Sequence, residues 1–248
     1  MILIMSGCGQ AAKEQEVITE TNNFVYVSDS LKINKFATYY FHIKVPVLDS
    51  ITDISLLESM YAPIGISTND YTKNNLQKIL LEQKEQYFSE NAPDLNEFDN
   101  EDESDMFYAL DDAINMEVFS RKDNFLTMIY TYSGYGGGAH GYYNEIYKIF
   151  DIKNRKPVLL EDIIINTDEE TWSSTLMNKL PDEDGNIADM LLVDTISLTD
   201  NFYFDNEGIT FVYNKYEIAA YAAGVIYIKI PFKDIKGLLT PDFTKLVL

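Results

Sequence analysis

The chain has 248 residues, of which 46% are hydrophobic, and this is enough for one large domain or two small ones with a buried core. Lys and Arg number 19 against 40 Asp and Glu, so the formal net charge at pH 7 is -21. Because nucleic acids are bound through Lys and Arg, this charge argues against a nucleic-acid partner, and it is complementary to a cationic protein.

The first residues of the chain predict a lipid anchor. The apolar run Met1–Gly7 ends in small residues before Cys8, the only cysteine, as the signals of bacterial lipoproteins do. Met5 stands where leucine is commonest and no Lys or Arg precedes the run, so we expect the true start to lie upstream. A buried strand with an incidental cysteine is the alternative. We expect residues 1–23 to be a signal remnant and tether that holds an envelope protein, on its periplasmic or cell-surface face, through lipid on Cys8.

Hydrophobic patterns predict a strand and a helix after this tether. Apolar residues alternate with polar ones over Phe36–Val47, which indicates a half-buried antiparallel strand with His42 on its solvent face. A short helix is predicted over Leu48–Tyr61, where either Asp49 or Ser50 serves as the N-cap.

A longer helix is predicted over Lys73–Asn91, because apolar residues recur there at helical spacing, and Pro93 is expected to end it. The acidic run Asp94–Asp105 lacks the glycine and the oxygen spacing of a calcium loop, so it predicts a solvated linker.

From Met106 onward, aromatic and β-branched residues separated by turn signals predict strands with helices between them. The expected strands are Met116–Ser120, Phe125–Tyr132, Tyr143–Asp151, Val158–Leu160, Leu198–Phe204, Ile209–Tyr213 and Val225–Pro231. The expected helices are a short one beginning at Glu161, one over Thr167–Leu180 with Thr167 or Asp168 as its cap, and Phe232–Leu239. This order predicts an α+β protein in which helices pack against antiparallel β-sheets, with domains at 24–151 and 152–248 that form one body.

The segment Tyr132–Tyr143 holds five of the 12 glycines, four tyrosines and one of the two histidines. Glycine in an ordered segment costs about 0.5–1 kcal/mol relative to alanine, so a positive φ angle or a close backbone approach is expected to require it. Tyrosine rings are large, amphipathic and lose little entropy when held. We interpret the segment as a binding loop between neighbouring strands, with Tyr135 and Tyr142 facing solvent. The predicted contact residues are Tyr135, Gly136, Gly137, Gly138, His140, Tyr142 and Tyr143.

A second segment of interest lies between two later strands. It contains Tyr216, Glu217 and Tyr221 among four alanines that leave little bulk. Small residues allow close backbone approach, and Gly224 permits a turn or bulge. One interpretation is a structural crossover whose tyrosines donate to buried carbonyls. The other is that these three residues lie beside the glycine-rich loop and extend one recognition surface.

His140 is the candidate general base within these motifs. A hydrolase needs a nucleophile, a base and an orienting acid in one pocket, and no Gly-x-Ser-x-Gly sequence surrounds the nearby Ser133. Two histidines far apart in the chain do not predict a zinc site. We therefore expect no catalytic residue, no metal and no cofactor, with a hydrolase using His140 as an alternative. In such a loop a histidine more often bonds to backbone carbonyls.

Several motifs occur in an order that resembles a family of bacterial envelope proteins. They are Gly137-Gly-Ala-His-Gly141, Phe150-Asp-Ile-Lys153, Leu160-Glu-Asp-Ile163, Phe202–Tyr213, Tyr216–Gly224 and Ile230-Pro-Phe232. Over Phe36–Leu239 the chain is similar to the extracellular domain of the anti-sigma-V factor RsiV and to the non-catalytic domain of the peptidoglycan deacetylase PdaC.

This resemblance implies an α+β fold with a PdaC-type domain over 24–151 and an RsiV-like domain over 152–248. Many members of the family are lipoproteins of unknown role, which agrees with the interpretation of Cys8. The anti-sigma factor binds lysozyme through this domain, so a lysozyme-like cationic protein is the first expected partner. Peptidoglycan or another glycan, stacked on exposed tyrosines, is the alternative.

Overall fold

A computed structural model gives the fold of residues 23–33, 35, 37–95, 108–165, 168–181 and 187–247. The expected lipidation site Cys8 and residues 1–22 of the expected tether lie outside these ranges, as does the acidic run from residue 96 to residue 105. Within these ranges, no helix combines the length and the apolar character needed to cross a membrane.

A six-stranded sheet contains the first six strands in their chain order. Neighbouring strands in it are antiparallel, except for the second and third, which are parallel. A parallel pair needs a long connection, and two helices supply it here. The elements are β1 (Phe24–Lys32), β2 (Ala37–Pro46), α1 (Ile54–Tyr61), α2 (Lys73–Leu95), β3 (Tyr108–Lys122), β4 (Phe125–Tyr135), β5 (Tyr142–Asp151) and β6 (Lys156–Val158).

The C-terminal part of the chain contains a three-stranded antiparallel sheet with short helices around it. Its regular elements are α3 (Leu160–Ile163), α4 (Glu169–Met177), β7 (Phe202–Phe204), β8 (Gly208–Tyr213), β9 (Ile226–Pro231) and α5 (Pro241–Val247). Among the described residues of this part, 3₁₀ turns lie at Ile187–Met190, Tyr221–Ala223, Phe232–Asp234 and Lys236–Leu238. The predicted α+β class is confirmed.

The strand predicted from alternation, β2, is confirmed, and its buried face is the predicted one. β2 pairs antiparallel with β1, as predicted, and its parallel pairing with β3 was not predicted. β1 itself was not predicted. It makes β2 an inner strand of the sheet, with Pro46 at its end.

Two predicted helix ends in the N-terminal half are wrong for local reasons. The helix predicted from Leu48 begins at Ile54, because the Asp53 carboxylate accepts the backbone N–H of Leu56 at 2.9 Å and caps it there. α2 continues past Pro93 to its end at Leu95, since a proline in the last turn removes only one intrahelical hydrogen bond.

Three predicted elements in the C-terminal part are shorter or different in type. The strand predicted over Leu198–Phe204 is limited to its last three residues. The helix predicted over Thr167–Leu180 is limited to Glu169–Met177. Its N-cap is Asp168, one of the two predicted caps, whose carboxylate accepts the backbone N–H of Thr171 at 3.0 Å. The closing helix predicted over Phe232–Leu239 consists of two 3₁₀ turns, and α5 follows them.

Two hydrophobic cores hold these elements together. The first lies between the six-stranded sheet and the helices α1 and α2, and Phe41 is fully buried in it. The second surrounds the three-stranded sheet, where the rings of Trp172 and Phe211 meet edge-on with centroids 6.0 Å apart. Phe150 of β5 belongs to the first core and its neighbour Ile149 to the second. Because successive strand residues point to opposite faces, β5 is covered on both faces at this point.

Candidate binding surface

The glycine-rich segment connects the antiparallel strands β4 and β5, as predicted. Gly137 has a φ angle of 85°, in the left-handed region that favours glycine. A side chain at Gly141 would place its Cβ 2.7 Å from the Gly134 carbonyl oxygen, and a side chain at Gly134 would lie closer still to the Asp111 carbonyl oxygen of β3. Gly136 and Gly138 have open space around them. No steric contact therefore requires glycine at these two positions.

Gly134→Ala is expected to lower the free energy of unfolding by about 2–3 kcal/mol, because overpacking a closed site costs this much. The new methyl group would overlap the Asp111 carbonyl, the Asp112 carboxylate and the Tyr142 ring. Gly138→Ala is the matched control, and its effect should stay within about 0.5 kcal/mol. Denaturant unfolding measures both. Equal stability of the two variants would contradict the close approach of β3 and β4.

The two tyrosines expected to face solvent are partly exposed and hold the loop through their hydroxyls. Tyr142 is 44% exposed, and its hydroxyl donates to Asp112 of β3. Tyr135 is half-buried against the first core, and its hydroxyl donates to the Gly138 carbonyl at 2.8 Å. Neither ring is fully buried, and both hydroxyls already donate hydrogen bonds within the chain.

Asp112 accepts tyrosine hydroxyls from three elements. Its donors are Tyr39 of β2, Tyr87 of α2 at 3.0 Å, and Tyr142 of β5. Burial is the main cause that raises the pKa of each of these hydroxyls, and the nearby carboxylate raises the pKa further. The hydroxyls therefore remain protonated donors at neutral pH, and they tie the glycine-rich hairpin to α2.

His140 and Tyr221 join the C-terminal part of the chain to the glycine-rich loop. Their rings stack with centroids 4.6 Å apart and planes inclined by 20°. The Tyr221 hydroxyl donates to the Gly141 carbonyl at 3.0 Å, so Tyr221 both supports the structure and lies beside the loop. The expected hydrogen bonds from His140 to carbonyls do not form within the described residues, and stacking positions its ring instead.

Lys215, which no sequence motif indicated, completes this arrangement. Its Nζ lies 4.2 Å from the ring centroid of Tyr221 and 5.9 Å from that of Tyr143. A cation over an aromatic face contributes about 0.5–1 kcal/mol at an exposed site. The ring of Tyr216 lies 5.7 Å from that of Tyr221. His140, Tyr143, Lys215, Tyr216 and Tyr221 are together termed the tyrosine platform.

Tyr216 is held in a costly backbone conformation. Its φ angle is 67°, and its ring is 59% exposed. The left-handed region costs a bulky residue about 1–3 kcal/mol. Two hydrogen bonds maintain the turn: the Asn214 N–H donates to the Glu217 carboxylate at 2.8 Å, and the Tyr216 N–H donates to the Ala219 carbonyl at 3.2 Å. Glu217, a predicted contact residue, therefore supports the turn that presents the ring.

The predicted contact residues fall into two groups. His140, Tyr143, Tyr216 and Tyr221 come together in the tyrosine platform. Tyr142 lies apart from them, because Tyr142 and Tyr143 are successive residues of β5 and point to opposite faces of the sheet. Tyr135 likewise packs against the first core.

A buried acid, Glu145, lies on the same face of β5 as Tyr143. It is 7% exposed and accepts the hydroxyls of Tyr143, Tyr147 and Tyr227 at 2.7, 2.9 and 2.6 Å. Burial raises the pKa of all three tyrosines, the hydrogen bonds to Glu145 raise it further, and that of Tyr143 reaches about 12. Because Tyr227 belongs to β9, this carboxylate links the two sheets. The sequence signal for it is the two-residue spacing of Tyr143, Glu145 and Tyr147, which puts them on one strand face.

The other histidine, His42, lies on the polar face of β2. Its Nδ1 is 2.8 Å from the Ser28 hydroxyl, and its ring stacks on Tyr26. The two histidines therefore occupy separate environments. In the part of the chain that the structure describes, no group of three or more His, Cys, Asp or Glu side chains could hold a metal ion.

A match to a protein-family model lies in the C-terminal part of the chain. Residues 148–233 match the family model described as a protein of unknown function, DUF3298. No curated protein matches the chain. The matched residues include Lys215, Tyr216 and Tyr221 of the tyrosine platform and exclude the glycine-rich loop.

Two solved structures are similar over most of their length. A DUF3298 family member from Bacteroides fragilis NCTC 9343 has 26% identity and a TM-score of 0.64, with 89% of this chain and 96% of that chain covered. A DUF3298 family protein from Pseudomonas aeruginosa PAO1 has 18% identity and a TM-score of 0.53, with 89% and 94% covered. The fold is thus one that occurs in DUF3298 proteins, and the family description states no activity.

Proposed function

We propose that this chain is a lipid-anchored binding protein of the bacterial envelope, of the RsiV-like and PdaC-type kind. It docks a lysozyme-like cationic protein through the tyrosine platform. The observation that carries this proposal is the exposed ring of Tyr216, held in a left-handed backbone conformation beside the stacked rings of His140 and Tyr221. Pre-positioned aromatic anchors contribute much of the binding energy at protein interfaces.

Charge and access support this partner class. A net charge of -21 attracts a basic protein over long range and raises its association rate at low salt. Open space around Gly136 and Gly138 lets a partner approach the loop backbone closely. We propose binding without a catalytic step, because His140 is engaged by stacking, and neither a carboxylate nor a hydroxyl among the described residues is bonded to it.

Tyr216→Ala is expected to weaken the binding of a lysozyme at least tenfold, because loss of a central aromatic anchor costs about 2 kcal/mol or more. Tyr26→Ala is the matched control, since that ring is 50% exposed on β1, and its affinity should stay within about twofold of wild type. Isothermal titration of the full chain gives both affinities. Added salt should weaken the wild-type complex, because it screens the attraction between the two proteins.

Absence of lysozyme binding at low salt would refute this partner, and equal affinity of Tyr216→Ala and wild type would refute the platform. Binding to peptidoglycan sacculi that resists salt would identify a glycan as the ligand instead. His140→Ala separates the hydrolase alternative, since an enzyme would lose turnover while a binding protein would lose affinity or stability.

A further inference from the structure

A groove runs along the edge of β5. Two adjoining depressions form it, with volumes of about 460 Å³ and about 370 Å³, and Lys148 and Asp200 line both. Asn144 and Glu217 line the first depression, and Leu159 lines the second. Both volumes lie within the range of about 300–1,000 Å³ that is usual for ligand sites. This feature is termed the β5 groove.

The backbone edge of β5 is already occupied where it borders the groove. The side-chain amides of Asn201 and Asn214 donate to the Glu145 carbonyl at 2.8 and 3.0 Å. The amide oxygens of the same two residues accept the backbone N–H groups of Tyr147 and Glu145 at 2.8 and 2.7 Å. A peptide that added itself as a further strand would need these same backbone groups. The groove is therefore closed to strand addition at these residues.

Three polar side chains of the groove have no partner among the residues that the structure describes. Asn144, Lys148 and Asp200 make neither a hydrogen bond nor an ion pair with any residue that the structure describes. The lysine donates hydrogen bonds, the carboxylate accepts them, and the asparagine amide does both. A sugar hydroxyl also does both, so a saccharide can use all three groups. Lys148 would repel a cationic ligand, and Asp200 would repel an anionic one. Leu159, which is 51% exposed, offers apolar surface to the C–H face of a sugar ring.

We propose that the β5 groove binds a linear, uncharged oligosaccharide. The two depressions share residues, so consecutive sugar units can occupy them along the strand. No residue of the tyrosine platform lines the groove, and only Glu217, which supports the turn of Tyr216, borders both. The ligand of the groove does not depend on what the platform binds.

Calorimetric titration of the full chain with chitotetraose, cellotetraose and maltotetraose tests the proposal. At least one is expected to bind saturably, with a Kd in the millimolar range (about 1 mM) or tighter. Asp200→Ala and Lys148→Ala should each weaken that binding at least tenfold, because each removes a charge-assisted hydrogen bond worth about 1.4 kcal/mol or more. Glu170→Ala and Lys153→Ala are the matched controls, since both side chains are exposed and lie outside the groove.

Unchanged thermal midpoints are expected for all four variants, so a loss of binding reports on the site. The proposal is overturned if none of the three saccharides binds at about 10 mM, or if Asp200→Ala binds as well as wild type. Saturable binding of an extended peptide that Asp200→Ala abolishes, with no saccharide bound, would overturn it too. Tyr216→Ala should keep the saccharide affinity of wild type. Failure of lysozyme binding would leave that result intact, so the two proposals can fail separately.

Discussion

Glu145→Ala is expected to lower the free energy of unfolding by about 3–5 kcal/mol, as the removal of one partner from a buried charged network does. The carboxylate is 7% exposed and accepts the hydroxyls of Tyr143, Tyr147 and Tyr227. Alanine would leave these three donors without their acceptor at the junction of the two sheets. A hydrogen bond to a charged group contributes about 1.5–3 kcal/mol, so the loss of three such bonds lowers the free energy of unfolding substantially.

Two effects reduce this loss without cancelling it. Tyr227 is 38% exposed and Tyr143 is half-buried, so both hydroxyls can bond to water in the variant. Removing a buried carboxylate also removes the cost of its desolvation. The Tyr147 hydroxyl cannot bond to water in the variant, because Tyr147 is buried at 4% exposure beneath the rings of Phe119 and Tyr203. The net effect is therefore destabilising.

Urea unfolding followed by far-ultraviolet circular dichroism measures the change. Glu145→Gln keeps the shape and one acceptor oxygen, so it should lose only about 1–2 kcal/mol. Glu117→Ala is the exposed control: its carboxylate is 52% exposed and pairs with Lys44, and such pairs contribute about 0–1 kcal/mol. If Glu145→Ala were as stable as Glu117→Ala, the desolvation cost and the hydrogen bonds of Glu145 would cancel, contrary to the expectation.

Local sequence patterns predicted the parts of the fold that depend on neighbouring residues. Alternation identified the buried face of β2, because that pattern follows from strand geometry alone. The hairpin of β4 and β5 was also predicted, since its turn residues lie between the two strands in the sequence. The parallel pairing of β2 with β3 was not, because Ile43 meets Ile114 only after two helices have returned the chain to the same edge.

The two carboxylate clusters were missed for a related reason. Tyr39 and Asp112 are 73 residues apart in the chain, and Glu145 and Tyr227 are 82 apart. Without their partners, both acids resemble ordinary solvated positions of a strand. Tyr216 and Tyr221 could be singled out because the small residues around them are a local signal. Lys215 carries no such signal, and only the fold brings it over the Tyr221 ring.

Raising the pH above 10 is expected to unfold the protein cooperatively. The ordinary pKa of tyrosine is 10.0, and burial with a hydrogen bond to Glu145 raises the pKa of Tyr143 to about 12. Burial also raises the pKa of Tyr61 and Tyr130, both of which are 0% exposed. Above pH 10 the unfolded chain loses these protons while the native state keeps them, so stability falls as the pH rises. Below pH 10 their contribution to stability is complete.

The loss of stability above pH 10 is large because several tyrosine hydroxyls with raised pKa values contribute to it. Each unit by which the pKa of a buried tyrosine is raised corresponds to about 1.4 kcal/mol, while a domain is stable by only about 5–15 kcal/mol. Tyr61 and Tyr130 donate to the carbonyls of Pro46 and Met60 at 2.5 and 2.6 Å, so ionising either one leaves a buried carbonyl without its donor.

A pH titration that records tyrosinate absorbance and circular dichroism together tests this expectation. Both signals should change in one step between pH 10 and pH 12, the interval set by the ordinary tyrosine pKa and that of Tyr143. Recovery of both signals on return to neutral pH is the control against chemical damage. Gradual tyrosinate formation with unchanged circular dichroism would mean that the buried hydroxyls ionise inside the folded protein. The carboxylate clusters would then not require protonated tyrosines to hold the sheets together.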